Sequence, residues 1–367
     1  MNAVFRPLLS AALLLAAVSL GCGESQGTAL RSAFLKGLAE DSILPTYRDF
    51  DTRAGTLATA LETLEKSPTE GNLTATQSAW RAVREPWNVQ EALHVGPSED
   101  MHTGAAVNQV PSISGIESLL GGTTALTEAS VAEQGANRKG MLTLEYLLFD
   151  HQGGNAAVLS RLTADGGAGE RRRLYARLLG TVLKGNATAV HAAWEPAQGN
   201  FVAQLANAGN DGSRYTTQKQ AVDEVVNRLI ASVEKAELRL SKPLGFETGG
   251  TVRPDEEQTR RSDNSLPELL SAVSGMERVW NGAGTDGGLS RVVTAGNARV
   301  AETMRGDLAA VRAALEAIPP PLRTALLKNR ESVEAARASL SSLRATLATE
   351  VAAQLGVTLS FNDNDGD

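Results

Sequence analysis

AWRAVREPWNVQEALHVGP (79–97) decides the fold class of this chain. Trp80, Arg84, Trp87 and Glu91 stand at i, i+4, i+7 and i+11, which on an α-helix is a single stripe. Two tryptophans on one stripe place it against protein, so Arg84 and Glu91 are expected to be at least partly buried. Buried charges must be paired or hydrogen-bonded. The stripe therefore reads either as an ion-pair seam inside a helical bundle, or as the wall of a polar cavity where Glu91 contributes to ligand binding.

The same periodicity extends along the chain. Alanine, leucine, glutamate and arginine dominate, aromatics are 4% of residues, and alternating strand-like runs are hard to find. The pattern predicts helices over 28–40, 44–66, 73–95, 138–149, 170–208, 216–240, 264–281, 287–316 and 320–355. Asn72 and the stretch from Ser262 to Asn264 are the expected N-caps, while Pro86 and Pro196 should kink or break the helices that contain them. Residues 96–137, rich in Gly, Ser and Thr, read as loop. KPLGFETGGTVRPDEEQTRRSD (242–263) combines Gly, Pro and charge and reads as a linker. The expectation is an all-α protein of two helical-bundle domains, an N-terminal one over 28–241 and a C-terminal one over 264–367.

The N-terminus is of a different kind. Arg6 precedes LLSAALLLAAVSLG (8–21), an uncharged run too short to span a bilayer comfortably and ending in small residues. Residues 1–21 read as a secretory signal peptide. Cys22, the only cysteine, follows Gly21 at the expected cleavage point and has no thiol to pair with, which marks it as a lipidation site. Ser19 stands where a bacterial lipobox usually has leucine. Residues 22–27 would be the tether, and acyl chains, at about 0.8 kcal/mol per buried methylene, would hold the protein to a membrane. The net charge of −7 becomes one unit more negative when Arg6 leaves with the leader. That balance argues against nucleic acid and anionic lipid as partners and is compatible with a cationic ligand.

Four segments carry a family resemblance: AWRAVREPWNVQEALHVGP (79–97), KGMLTLEYLLFD (139–150), EQTRRSDNSLPELLSAVSGMERVWNG (257–282) and LGVTLSFNDNDGD (355–367). In this order they resemble the imelysin family, whose second segment carries Gly-x-His-x-x-Glu. The resemblance implies two four-helix-bundle-like domains, a site near that motif, and an exported protein linked to iron or other metal acquisition. It also carries a metallopeptidase label. Gly140 and Glu145 match the motif, but Leu142 stands at the histidine position. A catalytic zinc normally takes three imidazole or carboxylate ligands, and this substitution removes one.

Glu145 lies among Met141, Leu142, Leu144, Leu147, Leu148 and Phe149. In a bundle interior it needs Arg84, a bound metal or other cation, or a proton of its own. Arg84 is the favoured partner, since arginine pairs bidentately with carboxylates. None of His94, His102, His151 and His191 begins a His-x-x-Glu. His94 and His102 flank Glu99 and Asp100 in a superficial metal-like cluster, and the tail from Asn362 to Asp367 starts like a calcium loop but ends before its twelfth position.

The sequence thus predicts an exported imelysin-like lipoprotein of the bacterial cell envelope, facing the periplasm or held at the outer membrane. Its expected role is as a non-catalytic binding module in iron or metal acquisition, with Glu145, Glu91 and Arg84 as ligand or metal residues. An iron or other divalent ion is the cofactor it would take, and an envelope or metal-uptake protein the partner. The alternative is an imelysin-type metallopeptidase using carboxylate ligands.

Overall fold

The computed structural model describes residues 26–283 and 287–360, and among these there is no strand. The signal peptide, Cys22 and the tail from Asn362 to Asp367 lie outside the described residues. Among the described residues no helix is long and apolar enough to cross a membrane.

Helix is already present at residue 26 and runs to 37. It continues through a π turn, Leu38–Ile43, into α1, Leu44–Lys66. Pro45 cannot donate to the preceding turn, and the chain passes it by widening rather than breaking. α2 (Glu70–Val89) follows and ends in a 3₁₀ turn, Gln90–Leu93. Its N-cap is Thr69, whose hydroxyl accepts from the Asn72 amide at 3.3 Å, so Asn72 lies inside the helix rather than capping it.

Pro86 does not break α2. The carbonyl that a residue 86 N–H would have engaged, Ala82 O, instead accepts from Arg53 Nη1 of α1 at 3.0 Å. A side chain from the neighbouring helix replaces the missing backbone donor. At Pro196 the expectation of a break holds: α4, Ala168–Trp194, stops just before it, and a short helix follows at Phe201–Ala206.

Residues 96–137 are not simple loop. They form short helices at Pro97–Asp100, Thr103–Asn108, Ile113–Gly121 and Glu128–Ala132. Ser112 and Thr127 cap the last two with their hydroxyls. Each is too short to display an apolar period, and each packs on α4 rather than standing by propensity alone. α3, Met141–Leu148, carries the Gly-x-x-x-x-Glu remnant, and a helix the sequence pattern missed follows at Gly154–Leu162.

The second half contains α5 (Gln218–Leu244), α6 (Ser265–Asn281), α7 (Ala298–Glu316) and α8 (Arg330–Thr346). Leu289–Gly296 is separated from α7 by Asn297, whose side chain accepts from the Arg299 and Val300 amides and caps α7. Residues 242–244 complete α5, and the stretch beyond holds two 3₁₀ turns, Phe246–Thr248 and Pro254–Glu256.

α1 lies between α2 and α4, while α7 and α5 both pack on α8. α6 joins the two groups by packing on α2 as well as on α5 and α7. The approach of α6 to α2 is so close that a Cβ on Gly275 would stand 2.0 Å from Val89 O. The buried side chains form one continuous apolar cluster through both groups.

Candidate functional site

α3 is held from both ends by α2. Trp80 Nε1 donates to Met141 O at 2.8 Å, and Gln77 Nε2 donates to Leu148 O at 2.7 Å. Gly140 precedes the helix with φ +83°, and a Cβ there would come within 2.4 Å of Val107 O. The motif glycine is thus required by backbone conformation and by space.

The tryptophan stripe faces inward along its whole length: Trp80, Arg84, Trp87 and Glu91 are all buried. Arg84 does not pair with Glu145. Its guanidinium makes a bidentate pair with Glu268 on α6, Nε to Oε1 at 2.7 Å and Nη2 to Oε2 at 2.6 Å, and Nη1 donates to Asn108 Oδ1. Asn264, at the N-cap position of α6, turns its amide to Glu268 Oε1 at 3.0 Å instead of capping the helix. Arg84 and Glu268 are 0% and 2% exposed, so this is a fully desolvated seam between α2 and α6.

Glu145 finds neutral donors. Its Oε1 accepts from the Arg261 amide at 3.0 Å, the Ser262 amide at 2.9 Å and the Ser262 hydroxyl at 2.8 Å. Burial pushes its carboxyl up to about 7 despite these hydrogen bonds; nearby Glu268 adds to the rise and Arg261 opposes it. Arg84 is thus taken by Glu268, while Glu145 accepts from uncharged donors and its burial favours the protonated form.

Glu91 has cations. Lys235 Nζ stands 2.7 Å from its Oε1 and Arg239 Nη2 donates to the same oxygen, while Arg239 Nη1 reaches Asn88 Oδ1 at 3.0 Å. Burial opposes its ionised form, but Arg239 and Lys235 outweigh that and hold the carboxyl below the usual range. Glu91 also borders a cavity of about 300 Å³, with Trp87 and His94.

A cleft of about 470 Å³ opens over α3, between the 110–113 turn, α5 and the 255–261 segment. Leu142 and Glu145 line it, together with Arg239 and Lys235 from the Glu91 cluster. So does Glu257, 3% exposed, whose two carboxylate oxygens both lack a hydrogen-bond donor among the described residues. Sequence reasoning did not single out Glu257, Lys235 or Arg239. Glu257 opens the third family-like segment, which was the available signal; nothing in the spacing of Lys235 and Arg239 ties them to Glu91.

A divalent metal requires several converging ligands, and these residues do not supply them. Leu142 presents hydrocarbon, Glu91 and Glu268 are committed to cations, and Glu145 is bonded to three donors. Among the described residues no three His, Cys, Asp or Glu side chains converge in a metal-binding arrangement. The His94 region follows the same rule. Arg228 pairs with Glu99, Arg214 pairs with Asp100, and burial pushes the His94 imidazole down to about 3, helped by the charges of Arg228 and Lys235. His191 sits 3.1 Å from both Asp51 and Glu195, which are shared with Lys184 and Arg48.

The family model described as Imelysin, Peptidase M75, matches residues 43–349. The chain belongs to the imelysin family. This imelysin is 28% identical over 340 residues to iron-regulated protein A of Synechococcus elongatus, covering 90% of this chain and 88% of that protein. Its fold is similar to that of a protein described as an iron-regulated protein A precursor from Parabacteroides distasonis, with a TM-score of 0.76, 18% identity, and coverage of 89% of this chain and 95% of that one. An imelysin-like protein from Psychrobacter arcticum gives a TM-score of 0.71 at 18% identity, covering 91% of this chain and 98% of that one. At such identities these two likenesses speak for the all-helical imelysin fold alone. The departure at Leu142 thus occurs on an intact imelysin scaffold.

Proposed function

We propose that the protein is an exported, lipid-anchored imelysin of the bacterial cell envelope that acts as a non-catalytic binding module in iron or other metal acquisition. The cleft over α3 is its binding site. The observation that carries this reading is Leu142, which lines the cleft beside Glu145 at the position of the family's histidine. A carboxyl raised to about 7 and already accepting three hydrogen bonds is a poor substitute for a metal-binding imidazole. Activating water for peptide hydrolysis calls for an open-sided metal with firmly held ligands, which this set does not offer. The name of the Synechococcus relative supports the iron connection. Lipidation rests on Gly21-Cys22 following an apolar leader.

Two measurements test the reading. Wild-type protein should show no metal-dependent hydrolysis of an unfolded peptide substrate; chelator-sensitive cleavage that disappears in Glu145→Ala would overturn it. Leu142→His should raise transition-metal affinity, because it places an imidazole close to one helical turn before Glu145 on the same face. Unchanged zinc or nickel binding in that variant would separate the cleft from the family's metal chemistry.

A further inference from the structure

The cleft contains an unused anion at its base and unused cations at its rim. Glu257 is buried, and among the described residues neither of its oxygens has a donor within 3.5 Å; Gln258 Oε1 beside it is buried and unpartnered there too. Ser265 is the one hydroxyl that favours the ionised Glu257, and it also accepts from the Thr259 amide at 3.3 Å and lies 3.0 Å from the Thr259 hydroxyl. Leaving a buried carboxylate without donors is costly, and folded proteins retain such groups rarely. Burial pushes the Glu257 carboxyl up to about 6, against the effect of Ser265 and Arg323.

At the rim, Lys242 is exposed and its ammonium has no acceptor among the described residues. The Arg261 guanidinium lies 5.2 Å over the Tyr146 ring and has no carboxylate within ion-pair distance among the described residues. Between the two ends the walls include Ile113, Leu142 and Leu238.

We propose that this cleft binds a small zwitterion of amino-acid type, its ammonium donating to Glu257 and Gln258 and its carboxylate meeting Lys242 and Arg261. The inference rests on reading the cleft as a binding site, and it names the ligand class. Orphaned acceptors at the base call for a ligand with several N–H donors, and a protonated amine has three. A bare cation would meet the same acceptors but leave Lys242 and Arg261 without an anion. A simple anion would satisfy the rim and leave the base as it is. Joining both charges across an apolar wall satisfies both ends at once, and the volume of about 470 Å³ is ample for such a molecule.

Calorimetric titration of the purified protein with three probes tests this. L-Leucine should bind saturably with a Kd of about 1 mM or lower. 4-Methylpentanoate lacks the amine and L-leucinamide lacks the carboxylate, and each should bind about tenfold more weakly or worse, the size of a lost charge-assisted hydrogen bond. Glu257→Gln should weaken L-leucine binding by a similar factor without lowering the unfolding midpoint, because it removes an unpaired buried charge. Lys242→Ala, at an exposed position, gives a second reading that does not depend on how the base repacks, and it should weaken L-leucine but leave L-leucinamide unchanged. Failure of L-leucine to bind at about ten times that concentration, or equal binding of the amine-free acid, overturns the proposal. So does wild-type affinity in both variants. Peptide hydrolysis would remove the non-catalytic reading even if L-leucine binds, whereas absence of both binding and hydrolysis removes the zwitterion alone.

Discussion

Replacing Glu145 with glutamine separates the proton of this residue from its shape. The amide oxygen can still accept from the Arg261 amide and from the Ser262 amide and hydroxyl, so the local structure is kept. What disappears is the titration. The folded-state value of about 7 lies above the ordinary 4.5, so between these pH values the native chain holds a proton that the unfolded chain has released. Stability therefore falls as pH rises through that window and levels off above it. At about 1.4 kcal/mol per pH unit, the wild-type protein gives up about 3 kcal/mol by pH 8 through this group. Glu145→Gln should be more stable than wild type by up to that amount at pH 8, with the advantage shrinking toward pH 5 and gone near pH 4. Urea unfolding followed by circular dichroism across pH 4–8 reads the difference directly. Glu257, raised to about 6, contributes in the same direction in both proteins and cancels in the comparison. A stability difference that stays flat across this range would mean that Glu145 ionises as an ordinary surface carboxylate, and the account of its burial would fail.

Three further outcomes are expected. Glu268→Gln should cost about 3 kcal/mol by leaving the Arg84 guanidinium buried without its carboxylate, while the double variant Arg84→Met/Glu268→Leu should unfold within about 1 kcal/mol of wild type; a double variant as damaged as the single one would show that the seam matters for more than charge pairing. Mass spectrometry of the N-terminal peptide should find a chain beginning at an acylated Cys22, and an unmodified cysteine or cleavage elsewhere removes the anchor. Proteolysis with a non-specific enzyme should cut first within 242–263 or 96–137, on the proposal that two helical domains meet near 242–263; a first cut inside α2 or α8 would count against that division.

The helices that carry a long apolar period were legible in the sequence, as were the inward stripe of α2 and the odd position of Glu145. Three kinds of feature were not. Residues 97–132 form helices of one or two turns whose sequence has no room to display a period, so Gly, Ser and Thr read as loop. Pro86 predicts a fault that only a neighbouring helix can repair, and Arg53 does so by reaching Ala82 O, 29 positions along the chain. The partners of the charged residues are the third. Arg84 and Glu268 are 184 positions apart, and Glu145 is met by two backbone amides, which have no sequence signature. The choice of Arg84 for Glu145 followed from arginine's bidentate match to a carboxylate; α6 brought a better-placed carboxylate to the arginine, and the segment before it brought donors to the glutamate.

Position 142 is a socket rather than a keystone. The backbone of α3 is gripped at Met141 O by Trp80 and at Leu148 O by Gln77, and it is entered through Gly140, so none of its anchors uses the side chain of residue 142. A lineage can therefore exchange imidazole for hydrocarbon there without rebuilding the helix or the walls around it. Descent with an unchanged outline and an altered chemistry is what such an anchorage permits, and it means that likeness of fold does not by itself report the chemistry offered at position 142.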